Sequence, residues 1–306
     1  MNDNPRTLYD VIIVGAGPAG LNAALVLGRS RRRVLVCNEG EHRNAASRAL
    51  HGFLTRDGVD PRELLRIGRQ QLNRYDTVAL KDVGVTNIQS ENGRFWLTLT
   101  DGTQLLSRKI LLTTGVIDER PEIEGFETFY GRSIFQCPYC DGWEVRDLPL
   151  AIYGHGTNGP GLALELTGWS ADLTLVTDGP PQINAGDREK LARSRVQIRE
   201  QKIARLQGND GILESIVFED GSILKCRAMF FNLGHRQHCD LAARLGVNID
   251  PHGDEVISNR HQSTNVPGIY VAGDAAFHTH LVIIAASEGA IAALAINTAL
   301  LREENA

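Results

Sequence analysis

One local pattern, a short apolar strand followed by a glycine-rich loop and a helix, constrains the fold of this chain more than any other feature. The β-branched segment 9–14 leads into the loop 15–20 and then into an apolar helical segment. In such a loop the first glycine permits a tight turn, the second lets a pyrophosphate approach the backbone, and the third lets the helix pack against the strand. The pattern predicts a Rossmann-like unit that holds a dinucleotide. The predicted binding residues are Gly15, Ala16, Gly17, Pro18, Ala19 and Gly20.

The next predicted strand, 34–37, ends where such a unit needs a group to bind an adenosine ribose. Asn38 can hydrogen-bond a hydroxyl group without a charge, and Glu39 is the acidic option. Two later strands also end in glycine, at Thr114-Gly115 and at Gly273-Asp274. A glycine at the carboxyl end of a strand lets the backbone approach a ligand closely. These strand ends are therefore candidate positions for ligand contact.

A second copy of the pattern lies in the middle of the chain. The predicted strand 150–153 is followed by a second glycine loop, a helix over 160–168 and a strand over 173–176. The chain is therefore predicted to be an α/β protein with two Rossmann-like dinucleotide-binding domains. The loop residues of a second nucleotide site would be Gly154, Gly156, Asn158 and Gly159.

Between the two copies lies Cys137-Pro138-Tyr139-Cys140-Asp141, a dithiol with an acid directly behind it. Pro138 suits the first position of a helical turn, and a thiol at a helix N-terminus is acidified by the helix dipole. Asp141 is placed to handle the protons of disulfide exchange. A structural zinc site needs four ligands, and the sequence has no second Cys-x-x-Cys pair, so we predict a redox pair without a metal.

In order and spacing, these motifs resemble those of the low-molecular-weight thioredoxin reductases along essentially the whole chain. The resemblance rests on the loop 15–20, Thr113-Thr114-Gly115, the dithiol motif 137–142, the loop 154–159, Gly234-His235 and Gly273-Asp274. It implies a flavoprotein with two three-layer ββα domains, the second inserted into the first. The FAD-binding domain would comprise residues 1–118 and 245–306, and the inserted domain 119–244 would carry the redox-active disulfide.

The resemblance also implies roles for individual residues. Cys140 would face the C4a atom of the flavin, Cys137 would exchange with the partner disulfide, and Asp141 would be the acid/base. Asp274 would bind the ribityl or phosphate region of FAD. A helix from about Val282 would direct its positive end at the N1/O2 edge of the flavin.

His51 lies where the first domain of such proteins approaches the flavin ring. A flavin contact and a structural loop histidine are both open interpretations of this residue.

The electron donor is where this chain departs from the family pattern. NADPH-dependent members place a basic cluster after the second strand of the inserted domain, whereas this chain has Asp178 and no basic residue before Arg188. An acid at this position would repel a 2′-phosphate and suit a ribose diol. NADPH is therefore disfavoured. The alternatives for the inserted domain are NADH and a second adenine nucleotide, which includes a second flavin.

The predicted function is an FAD-dependent dithiol/disulfide oxidoreductase acting on a thioredoxin-like protein or on a small dithiol or disulfide. The alternatives are an oxygen-dependent oxidase of small-molecule dithiols, like the gliotoxin and holomycin enzymes, and a ferredoxin- or NADH-linked thioredoxin reductase. A flavin-binding sensor without turnover is the alternative from another class. The intact Cys137, Cys140 and Asp141 argue against the sensor.

Composition bears on the number of domains, on the classes of partner and on the predicted location of the protein. The chain has 306 residues, 42% of them hydrophobic, which suits two domains with sizeable cores. A net charge of −5 argues against general nucleic-acid binding. No uninterrupted apolar stretch is long enough to predict a membrane span. Five cysteines and no signal-like N-terminus favour a cytoplasmic location. The family resemblance implies a homodimer.

Overall fold

The computed structural model describes residues 8–154, 158–251, 256–276 and 279–306. The chain forms two compact units. Unit 1 comprises Met1–Arg43, Pro61–Ile117 and His235–Ala306, and unit 2 comprises Asn44–Asp60 and Asp118–Gly234. These units differ from the predicted domain boundaries in two segments and at one further residue. Residues 44–60 and Asp118 group with unit 2, and residues 235–244 group with unit 1.

The strands, in chain order, are β1 (Leu8–Val14), β2 (Val34–Cys37), β3 (Val78–Lys81), β4 (Val85–Glu91), β5 (Arg94–Leu99), β6 (Gln104–Leu112), β7 (Val116–Asp118), β8 (Ile134–Phe135), β9 (Leu150–Tyr153), β10 (Leu173–Val176), β11 (Gln197–Arg199), β12 (Ile203–Asn209), β13 (Ile212–Phe218), β14 (Ile223–Lys225), β15 (Ala228–Phe231), β16 (His235–Gln237) and β17 (Ile269–Val271). The helices are α1 (Pro18–Arg29), α2 (Pro61–Leu72), α3 (Phe126–Phe129), α4 (Pro138–Asp141), α5 (Asn158–Leu166), α6 (Ala185–Arg193), α7 (Leu241–Arg244) and α8 (Val282–Glu304).

Unit 1 is built on a parallel sheet in the order β3-β2-β1-β6. Strand β6 is shared, because its amino-terminal half pairs antiparallel with β5 and its carboxyl-terminal half pairs parallel with β17. Strand β5 continues into an antiparallel pair with β4. The carboxyl ends of β1, β2, β6 and β17 therefore lie at one edge of the sheet, which is where ligands bind in open α/β sheets.

Two apolar layers cover this sheet. Side chains of α1 and α8, among them Leu27 and Ile296, pack on one face with Val11 and Ile13. Side chains on the other face of the sheet, among them Ile12 and Leu35, share a core with Phe95 and Leu97 of β5. Strand β1 is apolar on both faces because both are covered, as is typical of a parallel sheet. The result is the predicted three-layer ββα arrangement.

Helix α8 is long and apolar enough, by length and composition, to cross a membrane, and it is the one such helix among the described residues. Its small and apolar residues face the core of unit 1: Ala292, Ala293 and Ile296 are fully buried there. Gly289 approaches α1 so closely that a Cβ atom would lie 2.0 Å from the carbonyl oxygen of Ala19. Packing against α1 accounts for the buried face of this helix, whereas Leu294 and Leu301 on it are exposed.

Unit 2 repeats the plan around a five-stranded parallel sheet in the order β11-β10-β9-β15-β8. One core lies between this sheet and the antiparallel strands β12-β13-β14, and another lies beneath α5 and α6. Strands β9 and β10 have the predicted bounds, and β8 is the edge strand that leads into the dithiol turn. The α/β class with two Rossmann-type domains is confirmed.

The dithiol turn and the glycine loops

Cys137 and Cys140 form a disulfide with their Cα atoms 5.2 Å apart. Cys137 is the N-cap of α4, a single turn that starts at Pro138 as predicted, and its sulfur accepts a hydrogen bond from the Cys140 amide at 3.2 Å. Proline presets the backbone angle of the first helical position, so the turn brings the two sulfurs together. The aromatic rings beside the pair are exposed: 67% of Tyr139 and 65% of Trp143 is accessible.

Asp141, directly after the disulfide, is in an unusual electrostatic environment. Burial raises the pKa of its carboxyl group to about 7, a nearby His51 opposes this shift, and the Glu144 carboxylate adds to it. A carboxyl group that titrates near neutral pH can both donate and accept a proton under working conditions. Perturbed groups of this kind cluster at functional sites.

Sequence reasoning did not anticipate the surroundings of His51. The residue belongs to unit 2, with its Nε2 atom 3.5 Å from Glu144 Oε1 and its Nδ1 atom 3.6 Å from Asp57 Oδ1. No local signal connects this loop to the dithiol, because the contact joins segments that are far apart in the chain. The predicted flavin contact of His51 stays a prediction.

The loop 15–20 has the geometry that its glycines predict. Gly15 has φ +112°, and a Cβ atom there would lie 2.2 Å from the Thr113 carbonyl oxygen. A Cβ atom on Gly20 would lie 2.1 Å from the Gly15 oxygen, whereas one on Gly17 would meet open space. Gly17 is the N-cap of α1, has no side chain to bond the first amide groups, and is followed by Pro18 and Ala19. The helix N-terminus thus has room for an anion in front of it.

The two candidate ribose ligands lie differently. The amide oxygen of Asn38 accepts a hydrogen bond from the Ala16 N–H at 3.0 Å, which holds the glycine loop. The carboxylate of Glu39 lies against Gly84 and occupies the space that a side chain on Gly84 would fill. Asn38 therefore supports the loop, and its amide NH₂ group is the part suited to a ligand hydroxyl.

The other strand ends of unit 1 lie at the same sheet edge. Gly115 has φ +69° with open space where a Cβ would be, and the Thr114 side chain is hydrogen-bonded to Cys239. Gly273 has φ +78°, and its N–H donates to the buried Glu288 carboxylate at 2.7 Å.

Two further features complete this edge. Asp274 pairs with Arg43 at 2.8 Å, a partner that the sequence did not reveal. Helix α8 begins at Val282 as predicted, and its N-cap residue Leu281 makes no side-chain cap.

The second glycine loop packs tightly. A Cβ on Gly154 would lie 2.7 Å from the Gly159 Cα, and one on Gly159 would lie 2.8 Å from the Gly154 oxygen. These two glycines are required by the approach of α5 to β9. Asn158 is the exposed first residue of α5, and Gly156 lies outside the described residues.

Asp178 makes hydrogen bonds within unit 2. Its Oδ1 accepts from the Ile203 N–H at 2.6 Å, and its Oδ2 accepts from the Tyr153 hydroxyl at 3.5 Å. These bonds tie β9, β10 and β12 together, which gives Asp178 a structural role beside the predicted one at a ribose.

The remaining cysteines are separate from the dithiol. Cys37 and Cys226 are buried, and burial raises the pKa of each thiol to about 12. They are therefore neutral and poor nucleophiles. Across the described ranges, no group of three or more His, Cys, Asp or Glu side chains is arranged to hold a metal ion.

Comparison with known proteins identifies the family. The Pyridine nucleotide-disulphide oxidoreductase family matches residues 9–289. A protein of Arthroderma benhamiae named "Probable thioredoxin reductase" is 34% identical over 89% of this chain and 75% of its own length. Thioredoxin reductase aclD of Aspergillus oryzae is 30% identical over 98% of both chains. The crystal structure of HlmI superposes with a TM-score of 0.93 at 34% identity, covering 97% of this chain and 93% of HlmI.

This family implies FAD and a pyridine nucleotide. Unit 1 fits the flavin nucleotide: the space at Gly17, the uncapped start of α1 and the glycine strand ends leave room where a pyrophosphate needs it. The Arg43–Asp274 pair adds charged groups at the same sheet edge. With the disulfide, the acid behind it and the two Rossmann-type units, this chain belongs to the pyridine nucleotide-disulphide oxidoreductase family as a thioredoxin reductase-like flavoprotein.

Proposed function

We propose that this flavin disulfide oxidoreductase passes electrons between FAD and the Cys137–Cys140 pair, and between the pair and a partner, without NADPH as the donor. A dithiol partner gives electrons to the pair, and a disulfide partner accepts them. The observation that carries the proposal is the disulfide backed by Asp141, whose pKa of about 7 suits proton transfer. When bound, FAD supplies a two-electron donor or acceptor.

The residues of the turn divide the work. Cys137 is the residue that exchanges with the partner, and Cys140 is the one that communicates with the flavin. The neutral Asp141 carboxyl gives a proton to a departing thiolate, and the ionised form takes one from an attacking thiol. The exposed rings of Tyr139 and Trp143 offer the partner an apolar contact beside the sulfurs.

The donor proposal rests on unit 2. Residues 177–184, which follow β10, contain an acid and no Lys or Arg to hold a 2′-phosphate. Because Asp178 already accepts bonds from Ile203 and Tyr153, its support for an NADH ribose is weaker than the sequence alone suggests. An experiment has to separate three alternatives: reduced ferredoxin as the donor, NADH as the donor, and a small dithiol as the donor with oxygen as the electron acceptor. We further propose a cytoplasmic homodimer whose partner is a thioredoxin-like protein or a small dithiol.

An anaerobic titration of the bound flavin tests this function. NADPH, NADH, reduced ferredoxin and dithiothreitol are added in separate experiments while the flavin absorbance is followed. We expect bleaching by dithiothreitol that is lost in Cys140→Ser, and no rapid bleaching by NADPH. Rapid bleaching by NADPH would overturn the donor proposal, and bleaching that persists in Cys140→Ser would overturn the role of the dithiol.

Hydrogen peroxide then separates the remaining alternatives. On admission of air, an oxidase that closes small dithiols forms peroxide in proportion to the dithiol consumed. A reductase fed by NADH or ferredoxin forms reduced partner instead.

A further inference from the structure

The loop between Leu50 and Val59 holds His51 in a defined place within unit 2. The Leu50 N–H donates to the Val59 carbonyl and the Gly58 N–H donates to the Leu50 carbonyl, each at 2.8 Å. Inside the loop, the Gly52 N–H donates to Asp57 Oδ1 at 2.8 Å. These bonds close the loop at its base, where His51 is located.

Both ring nitrogens of His51 face carboxylates. Nδ1 lies 3.6 Å from Asp57 Oδ1, and Nε2 lies 3.5 Å from Glu144 Oε1. Exposure of these side chains increases outward, from 21% for His51 to 41% for Glu144 and 69% for Asp57. The imidazole thus has a path to solvent through either acid.

The same histidine acts on Asp141. His51 and Glu144 are the charged groups that shift the titration of this carboxyl, His51 favouring its ionised form and Glu144 its neutral form. Glu144 is also part of the short segment that follows the disulfide. Asp141, directly behind the dithiol, is therefore electrostatically coupled to His51 and Glu144, and the contacts of His51 with Glu144 and Asp57 extend this group of side chains to the surface of unit 2.

We propose that His51 is a positioning residue for proton transfer at the dithiol: it exchanges protons with the Asp141 carboxyl and, through Glu144 and Asp57, with solvent. This inference rests on the proposed dithiol/disulfide function.

The chemistry of exchange needs such a group. In the reducing direction, the Cys137 thiolate attacks a sulfur of the partner disulfide, whose S–S bond breaks as a Cys137–partner bond forms. Cys140 then attacks the Cys137 sulfur, re-forming the 137–140 disulfide and releasing the second partner thiol. The partner gains two electrons and two protons. The cysteine pair supplies both electrons but only the proton of Cys140, because Cys137 reacts as the thiolate. The second proton comes from solvent, and His51 is placed to pass it to Asp141.

Two readouts on the FAD-loaded, full-length protein test the proposal. The first is an infrared titration of the oxidised protein, in which the carboxyl band lost in Asp141→Asn is assigned to Asp141. In His51→Gln we expect the midpoint to rise, because the side chain that favours the ionised Asp141 carboxyl is removed. Adding Glu144→Gln in the His51→Gln background should lower it again, because a negative charge is removed. Opposite shifts of this kind are not produced by general loosening of the structure.

The second readout is the rate of anaerobic flavin bleaching by dithiothreitol between pH 5.5 and 9. We expect His51→Gln to slow bleaching about tenfold near neutral pH, less than the full effect of losing a general acid, and to move the pH profile with the infrared midpoint. His261→Gln, at an exposed histidine of unit 1, is the matched control and should change neither readout.

The outcomes separate the two proposals. If wild-type bleaching depends on Cys140 but His51→Gln leaves both the midpoint and the rate profile unchanged, the role of His51 is wrong and the function stands. If dithiol bleaching survives Cys140→Ser, the proposed function is wrong, and an unchanged infrared midpoint in His51→Gln would independently reject the coupling.

Discussion

At the scale of single residues, the loop 15–20 contains glycines that the fold requires and one glycine, Gly17, that packing leaves open and that we predict to face the ligand. Gly15 and Gly20 touch backbone atoms that cannot move aside, whereas Gly17 borders open space at the start of α1. The motif thus combines a requirement for close packing with a predicted requirement for ligand access, and substitution of single glycines can distinguish the two.

We predict that Gly20→Ala destabilises the protein by about 1–3 kcal/mol, because the new methyl group overlaps the Gly15 oxygen. Gly17→Ala should fold with nearly unchanged stability and bind FAD more weakly, because its methyl group fills the space before the helix. Urea unfolding and the FAD content of purified protein measure the two effects. Gly161→Ala, at an open position in α5, is the control and should stabilise the protein by about 0.5–1 kcal/mol.

Asp141 carries a second prediction at this scale. Its pKa is raised from 3.8 to about 7 in the folded protein, so the unfolded chain loses this proton at lower pH than the folded one. The stability associated with the neutral carboxyl is therefore complete below about pH 4 and is lost as pH rises through 7.

We expect Asp141→Asn to be more stable than the wild type at pH 8, with the difference shrinking as the pH falls towards 4. Urea unfolding of the oxidised protein across this range measures it. Asp210→Asn, at an exposed turn of unit 2, is the control. A difference independent of pH would contradict the assignment of the raised pKa.

Residues whose partners are distant in the chain were the part of the site that the sequence did not reveal. The local sequence pattern predicts the positions of the glycine loops, the dithiol and Asp274, because each lies at the end of a strand or helix with a recognisable pattern. Arg43 with Asp274 and His51 with Glu144 leave no such trace, since each pair forms only when separate segments meet.

At the scale of elements, the short buried strands were predictable. Strands β2, β9 and β10 have the bounds that their apolar runs predict. Because a strand that is covered on both faces is apolar along its whole length, the ends of the apolar run mark the ends of the strand. The ion pairs at the charged end of α8 could not be predicted from the sequence, because they depend on tertiary contacts. There Lys109, nearly buried, pairs with Glu303, and Arg108 pairs with Glu303 at 3.1 Å and Asp10 at 3.0 Å.

We predict that Glu303→Gln destabilises the protein by about 1–2 kcal/mol, because it leaves the largely buried Lys109 ammonium without its partner while Glu303 itself is half-exposed. Lys109→Met should cost less than Glu303→Gln, since it removes the buried charge as well. The exposed pair Arg193–Glu189 of α6 is the control, and Glu189→Gln should change the free energy of unfolding by less than about 0.5 kcal/mol. Equal losses for Glu303→Gln and Lys109→Met would contradict the argument.

At the scale of the whole molecule, the division into two units can be predicted from the repeated strand–loop–helix pattern. The grouping of segment 44–60 with unit 2 cannot be predicted from that pattern. This segment precedes α2 of unit 1 in sequence yet groups with unit 2. Loop contacts of this kind are set by side chains from both segments and not by any periodicity within the loop.

The homodimer is the prediction that belongs to this scale. Size-exclusion chromatography with light scattering should give twice the chain mass of 33.5 kDa. The measured mass should be the same for the oxidised protein and for the protein reduced with dithiothreitol, because the disulfide lies within one chain. A mass of a single chain would reject the dimer.

The tight approach of Gly154 to Gly159 also bears on how such proteins are recognised in genomes. Because these two glycines are held in place by the meeting of strand and helix, selection for a folded second unit preserves them whether or not a nucleotide ever enters. The motif can therefore outlast its ligand during evolution. A survey that counts this motif therefore measures how many related proteins keep the fold of the second unit. How many of them still bind a nucleotide there has to be established from the residues that would contact the nucleotide.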